Sequence, residues 1–273
     1  AYMTWKQRNS DGRNIHPMLA LEEPESHLHP QAQRALFFQI EEIPGQRIIS
    51  THSPYIAGQT DVSKFRHFRK VGDNTVVTLM DIAGLDQDDI HKIDRMVMNT
   101  RGEIIYANAL VLFEGEQTED QALPIFAEKY WGQHPNALGI SMVGVGGDGL
   151  YLPFIRLAKS FQIPWYIFSD GENVTVTKVK RALTKAGESI SSTRLYTIPD
   201  EKCFEEYISV EEYKDVLIDM IICTQSQNPM HKAALKKEWI RKTDPLNDIC
   251  STLKKDKTLY GKRIAEAIID MEN

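Results

Sequence analysis

A chain of 273 residues with 42% hydrophobic and 26% charged residues has the balance of a globular protein and is long enough for two cores. It contains no apolar run near the roughly 18 residues of a membrane-crossing helix. Its opening, Ala1-Tyr2-Met3-Thr4-Trp5-Lys6, lacks both a signal-peptide core and an initiator, which points to a piece of a longer protein. Three widely spaced cysteines, Cys203, Cys223 and Cys250, with no Cys-x-x-Cys, argue against disulfides and zinc and for a cytoplasmic setting. The net charge of −6 disfavours a nucleic-acid partner, but from His231 to Arg263 ten Lys or Arg stand against four Asp or Glu. That stretch is either a local phosphate-binding surface or a solvated helix face.

In chain order, the polar stretch Lys6 to His16 leads into an apolar strand, Met18-Leu19-Ala20-Leu21, ending on Glu22-Glu23-Pro24-Glu25. Ala32, Ala35, Leu36 and Ile40 share one face of a helix over 31–41. Arg47-Ile48-Ile49-Ser50 is a short strand that stops on Thr51-His52-Ser53-Pro54. Strands near 65–69 and 75–80 read as antiparallel, and a polar helix over 87–100 leads to a boundary near residue 105. Beyond it strands alternate with helices: strands at 109–113, 139–143, 165–168 and 195–198, helices near 119–130, 150–161, 174–187 and 210–222. Such alternation predicts a mostly parallel sheet flanked by helices, with ligand chemistry at the carboxyl ends of its strands. The fold class is therefore α/β in both blocks, 1–105 and 106–273, with a helical element at the C-terminal end.

In the first block, four apolar residues followed by Glu22-Glu23 form a Walker B pattern. A buried strand would carry Glu22 to a nucleotide-bound magnesium, and Glu23 would polarise the attacking water. His52, at the end of a second strand, would contact a γ-phosphate. The segment Glu22-Glu23-Pro24-Glu25-Ser26-His27-Leu28-His29-Pro30, followed by Ser50-Thr51-His52-Ser53-Pro54, resembles the ABC-type ATPases of the structural-maintenance and RecF-like branch. The resemblance implies that Glu23 is the catalytic glutamate, Glu22 the metal-side carboxylate and His52 the switch histidine. It also implies that residues 25–30 face a partner ATPase subunit, which explains His29 without a His-x-His metal site. No Gly-x-x-x-x-Gly-Lys-Ser/Thr loop occurs. ATP binding is therefore expected of an intact parent protein, with this block as the C-terminal portion of its ATPase domain.

In the second block, Ala109–Phe113 suits a buried central strand and delivers Glu114-Gly115-Glu116, then Thr118-Glu119-Asp120. Trp165–Ser169 delivers Asp170-Gly171-Glu172. Carboxylates gathered at the ends of neighbouring strands repel unless a cation neutralises them, and hard oxygen ligands suit Mg2+ or Mn2+. One such ion polarises a phosphodiester, and two bracket its attacking and leaving oxygens. The glycine cluster Gly144-Val145-Gly146-Gly147-Asp148-Gly149 offers backbone amides to a phosphate or is a tight turn.

A glutamate after one strand and an acid-x-acid pair after another resembles the Toprim pattern of topoisomerases, primases and nucleases. Preceded by an ABC-type Walker B and switch histidine, it resembles the OLD (overcoming lysogenization defect) nucleases, and Gabija-type and retron-associated defence nucleases. The resemblance implies metal ligands Glu114, Glu119, Asp170, Glu172 and Glu205, the second acid being Glu119, Glu116 or Asp120. Lys262, in Tyr260-Gly261-Lys262-Arg263, would stabilise transition-state charge. The activity so implied is two-metal DNA endonuclease hydrolysis under ATP control, in defence against phage. DNA, a homo-oligomeric assembly and a defence-system protein or nucleic acid would be its partners, with no membrane involved. A non-catalytic ATP-dependent scaffold, and a topoisomerase- or primase-like DNA-processing protein, are the alternatives.

Overall fold

The structure is a computed structural model and describes residues 18–83, 85–98, 101–115, 117–146, 150–191 and 193–272. The opening segment through His16, Glu116, and Gly147, Asp148 and Gly149 of the glycine cluster lie outside the described residues. The chain divides into two compact units, Ala1–Tyr106 and Ala107–Asn273.

In the first unit, β1 (Met18–Glu22) and β2 (Gln46–Ser50) pair in parallel, with Glu22 opposite Ser50. The helix α1 (Pro30–Glu41) connects them, with His29 as its N-cap: Ala32 N–H donates to His29 Nδ1 at 3.4 Å. The helix α2 (Pro54–Ala57) starts at Ser53, whose hydroxyl accepts from the Tyr55 and Ile56 amides. β3 (His67–Val71) and β4 (Asn74–Thr78) form an antiparallel hairpin. The polar helix expected over 87–100 is instead α3 (Gln87–Ile93) followed by a π-turn over Asp94–Met98. Asp94 accepts the Val62 N–H at 2.9 Å, and Val97 and Met98 turn inward to be buried. The strand expected to be buried under the Glu22-Glu23 pair is open: Met18 is 66% and Ile48 51% exposed. Parallel strands are normally covered on both faces, and among the described residues this sheet is two strands wide.

In the second unit, β5 (Ala109–Phe113), β6 (Ile140–Gly144), β7 (Trp165–Ser169) and β8 (Leu195–Thr197) form one sheet in the order β6-β5-β7-β8, every pair parallel. Leu110, Leu112 and Phe113 are fully buried, as a central strand requires. The helices α4 (Thr118–Trp131), α5 (Tyr151–Ser160) and α6 (Asn173–Lys185) connect successive strands. The chain leaves β5 toward β6 and leaves the adjacent β7 in the opposite sense, toward β8. This makes the β5/β7 boundary the topological switch point, where open α/β sheets form their crevice.

The segment after β8 is helical: α7 (Phe204–Ile208), α8 (Lys214–Gln225), α9 (Pro229–Ile240), α10 (Pro245–Lys255) and α11 (Lys257–Glu272). The helix expected over 210–222 begins later, after a 3-10 turn at Glu211–Tyr213. Ahead of it, α7 is started by a capping box between Cys203 and Glu206. Ala122 of α4, Phe204 and Ile208 of α7, Leu217 and Ile221 of α8, and Ile264 and Ile268 of α11 share one core. No helix among the described residues is long and apolar enough to cross a membrane.

Candidate functional site

Glu114 follows β5 and Asp170 follows β7, so the register that pairs Phe113 with Phe168 brings both carboxylates to the switch point. Glu114 is oriented from α6: Thr175 Oγ1 donates to its Oε2 at 2.5 Å, and Lys178 Nζ stands 3.9 Å from its Oε1. Glu119, the second residue of α4, is 4% exposed, and its Oε2 has no hydrogen-bond partner. Its carboxylate lies against Gly115, where a Cβ would overlap it. This is the local reason for glycine after Glu114.

Asp170 has a buried Oδ1 that is also without a partner. Burial first, then the negative charges of Glu119, Glu205, Glu114 and Glu172, push its pKa up to about 7. Burial likewise raises Glu119, with Glu205 and Glu114 adding to the effect. Gly171 lets the turn close over β8: its N–H donates to Lys202 O at 2.8 Å, and a Cβ there would overlap the Ile198 carbonyl.

Glu205, on α7, is 1% exposed and is compensated by a hydroxyl and an ammonium. It accepts from Thr118 Oγ1 at 2.7 Å, and Lys257 Nζ lies 3.1 Å from its Oε1. Burial alone would raise its pKa, but the Thr118 hydroxyl and the Lys257 ammonium hold it below the ordinary value.

The structure thus gathers Glu114, Glu119, Asp170 and Glu205 into one electrostatic group. Of the three alternatives for the second acid, Glu119 is buried and its charge raises the pKa of Asp170; Glu116 lies outside the described residues. Glu172 is exposed before α6 and acts on Asp170 more weakly. Lys262 is on the surface of α11, its Nζ 3.4 Å from Glu266 of the same helix, with no contact to the group.

Sequence reading missed Thr118, Thr175, Tyr151 and Lys257. Tyr151 is fully buried with an unpartnered hydroxyl, and burial together with Glu114, Asp170 and Glu119 raises its pKa. The signal for the two threonines was available: each occupies the first turn of a helix that follows an acid-tipped strand. Lys257 carried no such signal, since it sits in a lysine-rich run.

The group offers only carboxylate and hydroxyl oxygen, the donor set of a hard divalent ion, and two buried carboxylate oxygens await a partner. Among the described residues, no three acids, histidines or cysteines converge closely enough to hold an ion as they stand.

In the first unit, Glu23 has φ of +40° and donates its N–H to Ser50 O at 2.9 Å, and its Oε1 lies 3.4 Å from His52 Nε2. Both side chains are solvent-accessible, and Glu22 is exposed. Glu25 is buried. It accepts from the Thr51 hydroxyl and from the His52 N–H at 3.1 Å, clamping the loop after β1 to the loop after β2.

Residues 105–171 match the family described as "Overcoming lysogenization defect protein-like, TOPRIM domain". Residues 1–103 match one described as "Protein of unknown function (DUF2813)". The chain is 32% identical over 162 residues to the OLD nuclease of Thermus scotoductus, covering 55% of this chain and 30% of that protein. It is 23% identical over 246 residues to the Old nuclease of Escherichia phage P2, covering 83% of this chain and 41% of that protein. The chain therefore spans less than half the length of either relative. Among solved structures, the C-terminal region of the Burkholderia pseudomallei OLD protein is similar at 18% identity, with a TM-score of 0.43, over 59% of this chain and 88% of that one. The OLD-type match covers the strands that carry Glu114 and Asp170, and two OLD nucleases are among the proteins to which the chain is similar.

Proposed function

We propose that the second unit is the catalytic centre of a DNA endonuclease that hydrolyses phosphodiester bonds with Mg2+ or Mn2+. The observation that carries this reading is the pair of buried, unpartnered carboxylate oxygens, Asp170 Oδ1 and Glu119 Oε2, beside Glu114 at the switch point of the sheet. Glu114, Glu119 and Asp170 would hold a divalent ion, which would polarise the phosphodiester and relieve the carboxylate repulsion. Thr175 and Lys178 hold Glu114 in place from α6. Thr118 holds Glu205 from the start of α4. Glu172 stands at the exposed rim, where a substrate-side ligand is needed. Lys262 exchanges its weak surface pairing with Glu266 for a phosphate oxygen and stabilises charge there.

The first unit is the C-terminal portion of an ABC-type ATPase domain whose nucleotide site is completed in the intact parent. Glu22 is its metal-side carboxylate, Glu23 polarises the attacking water and His52 contacts the γ-phosphate of ATP. The 3.4 Å approach of Glu23 to His52 supports assigning both to one phosphate end. The parent is a homo-oligomeric cytoplasmic protein acting on DNA in defence against phage, together with a defence-system protein or nucleic acid. The basic stretch between His231 and Arg263 supplies a surface for the DNA backbone.

The test is nicking of supercoiled plasmid with Mg2+ or Mn2+ by the wild-type chain, Glu114→Ala and Asp170→Ala. Cleavage lost in both variants supports the proposal. Equal cleavage by all three overturns the assignment of these residues. A non-catalytic scaffold is favoured by the lack of three converging ligands among the described residues. Absence of Mn2+ binding by the wild-type chain decides for it.

A further inference from the structure

The lysines and arginines between His231 and Arg263 look alike in sequence, but the structure sorts them. Lys254 Nζ lies 2.6 Å from Glu206 Oε1 and Lys257 Nζ 3.1 Å from Glu205 Oε1, so both serve as counter-charges to acids of α7. Lys262 Nζ lies 3.4 Å from Glu266, and Arg263 donates to the Thr224 hydroxyl at 3.1 Å. The excess of charge is concentrated on α9 and the two residues after it. From Pro229 to Lys242 five Lys or Arg stand against one acid, Glu238.

Of the residues of α9, Trp239 is the buried one. With 3.6 residues per turn, Lys232 and Leu235 share its inner face, and the Lys232 ammonium lies 3.4 Å from Cys223 Sγ. Toward α8 runs a groove of about 510 Å³ lined by both charges, including Lys236, Lys242 and Asp219. Its lysines are matched: Lys236 Nζ lies 2.9 Å from Asp219 Oδ1, and Lys242 Nζ 3.4 Å from Asp248 Oδ2 and 3.8 Å from the centre of the Trp239 ring. The side opposite Trp239 carries Met230, Ala233, Ala234, Lys237 and Arg241, all exposed. Lys237 and Arg241 stand one turn apart there, and neither side chain is paired with a described residue.

Two unpaired cations at this spacing reach neighbouring anions on one surface, and the two alanines beside them leave room for a close approach. Protein interfaces are depleted of lysine at their centres, whereas the centre of this face is Lys237. Charge complementarity therefore favours a polyanion. We infer that the outer face of α9, through Lys237 and Arg241, grips the phosphate backbone of duplex DNA away from the cleaved phosphate. The inference rests on the reading of the chain as a DNA-acting nuclease and narrows the backbone-binding part of the basic stretch to one helix. Phosphate contacts of this kind position the duplex without reading its sequence, and counterion release makes them salt dependent.

The experiment is binding of a short labelled DNA duplex to the full chain, read by fluorescence anisotropy in EDTA over a range of KCl concentrations. Wild type is compared with Lys237→Gln/Arg241→Gln and with Arg181→Gln/Lys185→Gln, which removes the same charge at the same spacing from α6. The α9 pair should flatten the slope of log K against log salt by about 1.8, or about 0.9 per lost phosphate contact, and weaken binding at least about tenfold near 0.1 M salt. The α6 pair should change neither. Equal effects of the two pairs, no effect of the α9 pair, or no duplex binding by wild type overturn the inference. So does an α9 pair that binds DNA like wild type but turns a wild-type dimer into a monomer in sedimentation, which assigns the face to a second copy. Should the α9 pair fail to fold, Lys237→Gln alone decides, with an expected change in slope of about 0.9. Plasmid nicking with Mn2+ by the same wild-type protein separates the two readings: nicking that persists while the inference fails leaves the nuclease standing, and absence of both nicking and DNA binding overturns the nuclease as well.

Discussion

The carboxylate of Glu119 occupies the space that a Cβ on Gly115 would fill. A β-strand, a four-residue exit and a helix start are thereby arranged so that an acid from the helix lies against the backbone just past the strand's end. Gly115→Ala should force Glu119 aside while leaving the backbone path open. Mn2+ affinity should fall at least about tenfold, as when support of a metal ligand is lost, with a thermal midpoint close to wild type. Unchanged Mn2+ affinity would show that Glu119 is no ligand.

Asp170 makes stability depend on pH in a set direction. Its folded pKa is about 7 against an ordinary value of 3.8, so the folded state holds the proton more tightly than the unfolded one. The stability this contributes is full below pH 3.8 and is lost as pH rises through 7. Asp170→Asn mimics the protonated form at every pH. In the absence of metal, the variant should be more stable than wild type at pH 8, by at most about 4 kcal/mol, and the two should converge near pH 4. Denaturant melts at the two pH values check this, and a constant difference would refute it.

Glu22 and Glu25 are three residues apart but differ in burial. Glu25 is buried under Thr51 and His52, whereas Glu22 is exposed. Glu25→Ala strands the Thr51 hydroxyl and the His52 amide and should cost about 1–3 kcal/mol. Glu22→Ala should change stability by less than about 0.5 kcal/mol. Equal effects in chemical denaturation would count against the clamp.

Gly261→Ala should destabilise the second unit by about 1–3 kcal/mol through overpacking, because one of the atoms its Cβ would meet is backbone, Thr118 Cα. The same substitution should weaken the hold of Lys257 on Glu205. A wild-type midpoint for Gly261→Ala would show that α11 has room to shift.

Much of the fold lies in local pattern. The apolar run Ala109–Phe113 can be satisfied only as a strand covered on both faces, and alternation with amphipathic helices then leads to the parallel sheet the structure contains. The wide turn at Asp94–Met98 was not legible, because it is set by a side-chain bond to Val62, 32 residues away. The exposure of Met18 and Ile48 was not legible either, since an apolar run does not state what covers it.

The sequence by itself determined the order of strands and helices in the second unit, the acids that end β5 and β7, and the resemblance to OLD-type Toprim domains, because these depend on residue type and spacing along the chain. Only the tertiary structure decided which acids are short of a partner. Glu205 and Glu119 look alike in sequence, but Glu205 meets Thr118 and Lys257 while Glu119 keeps an unpartnered oxygen. The reason is that charge compensation at a buried carboxylate acts over a few ångströms in space. The approach of α11 to α4 at Gly261, far along the chain from either glutamate, determines which of them receives it.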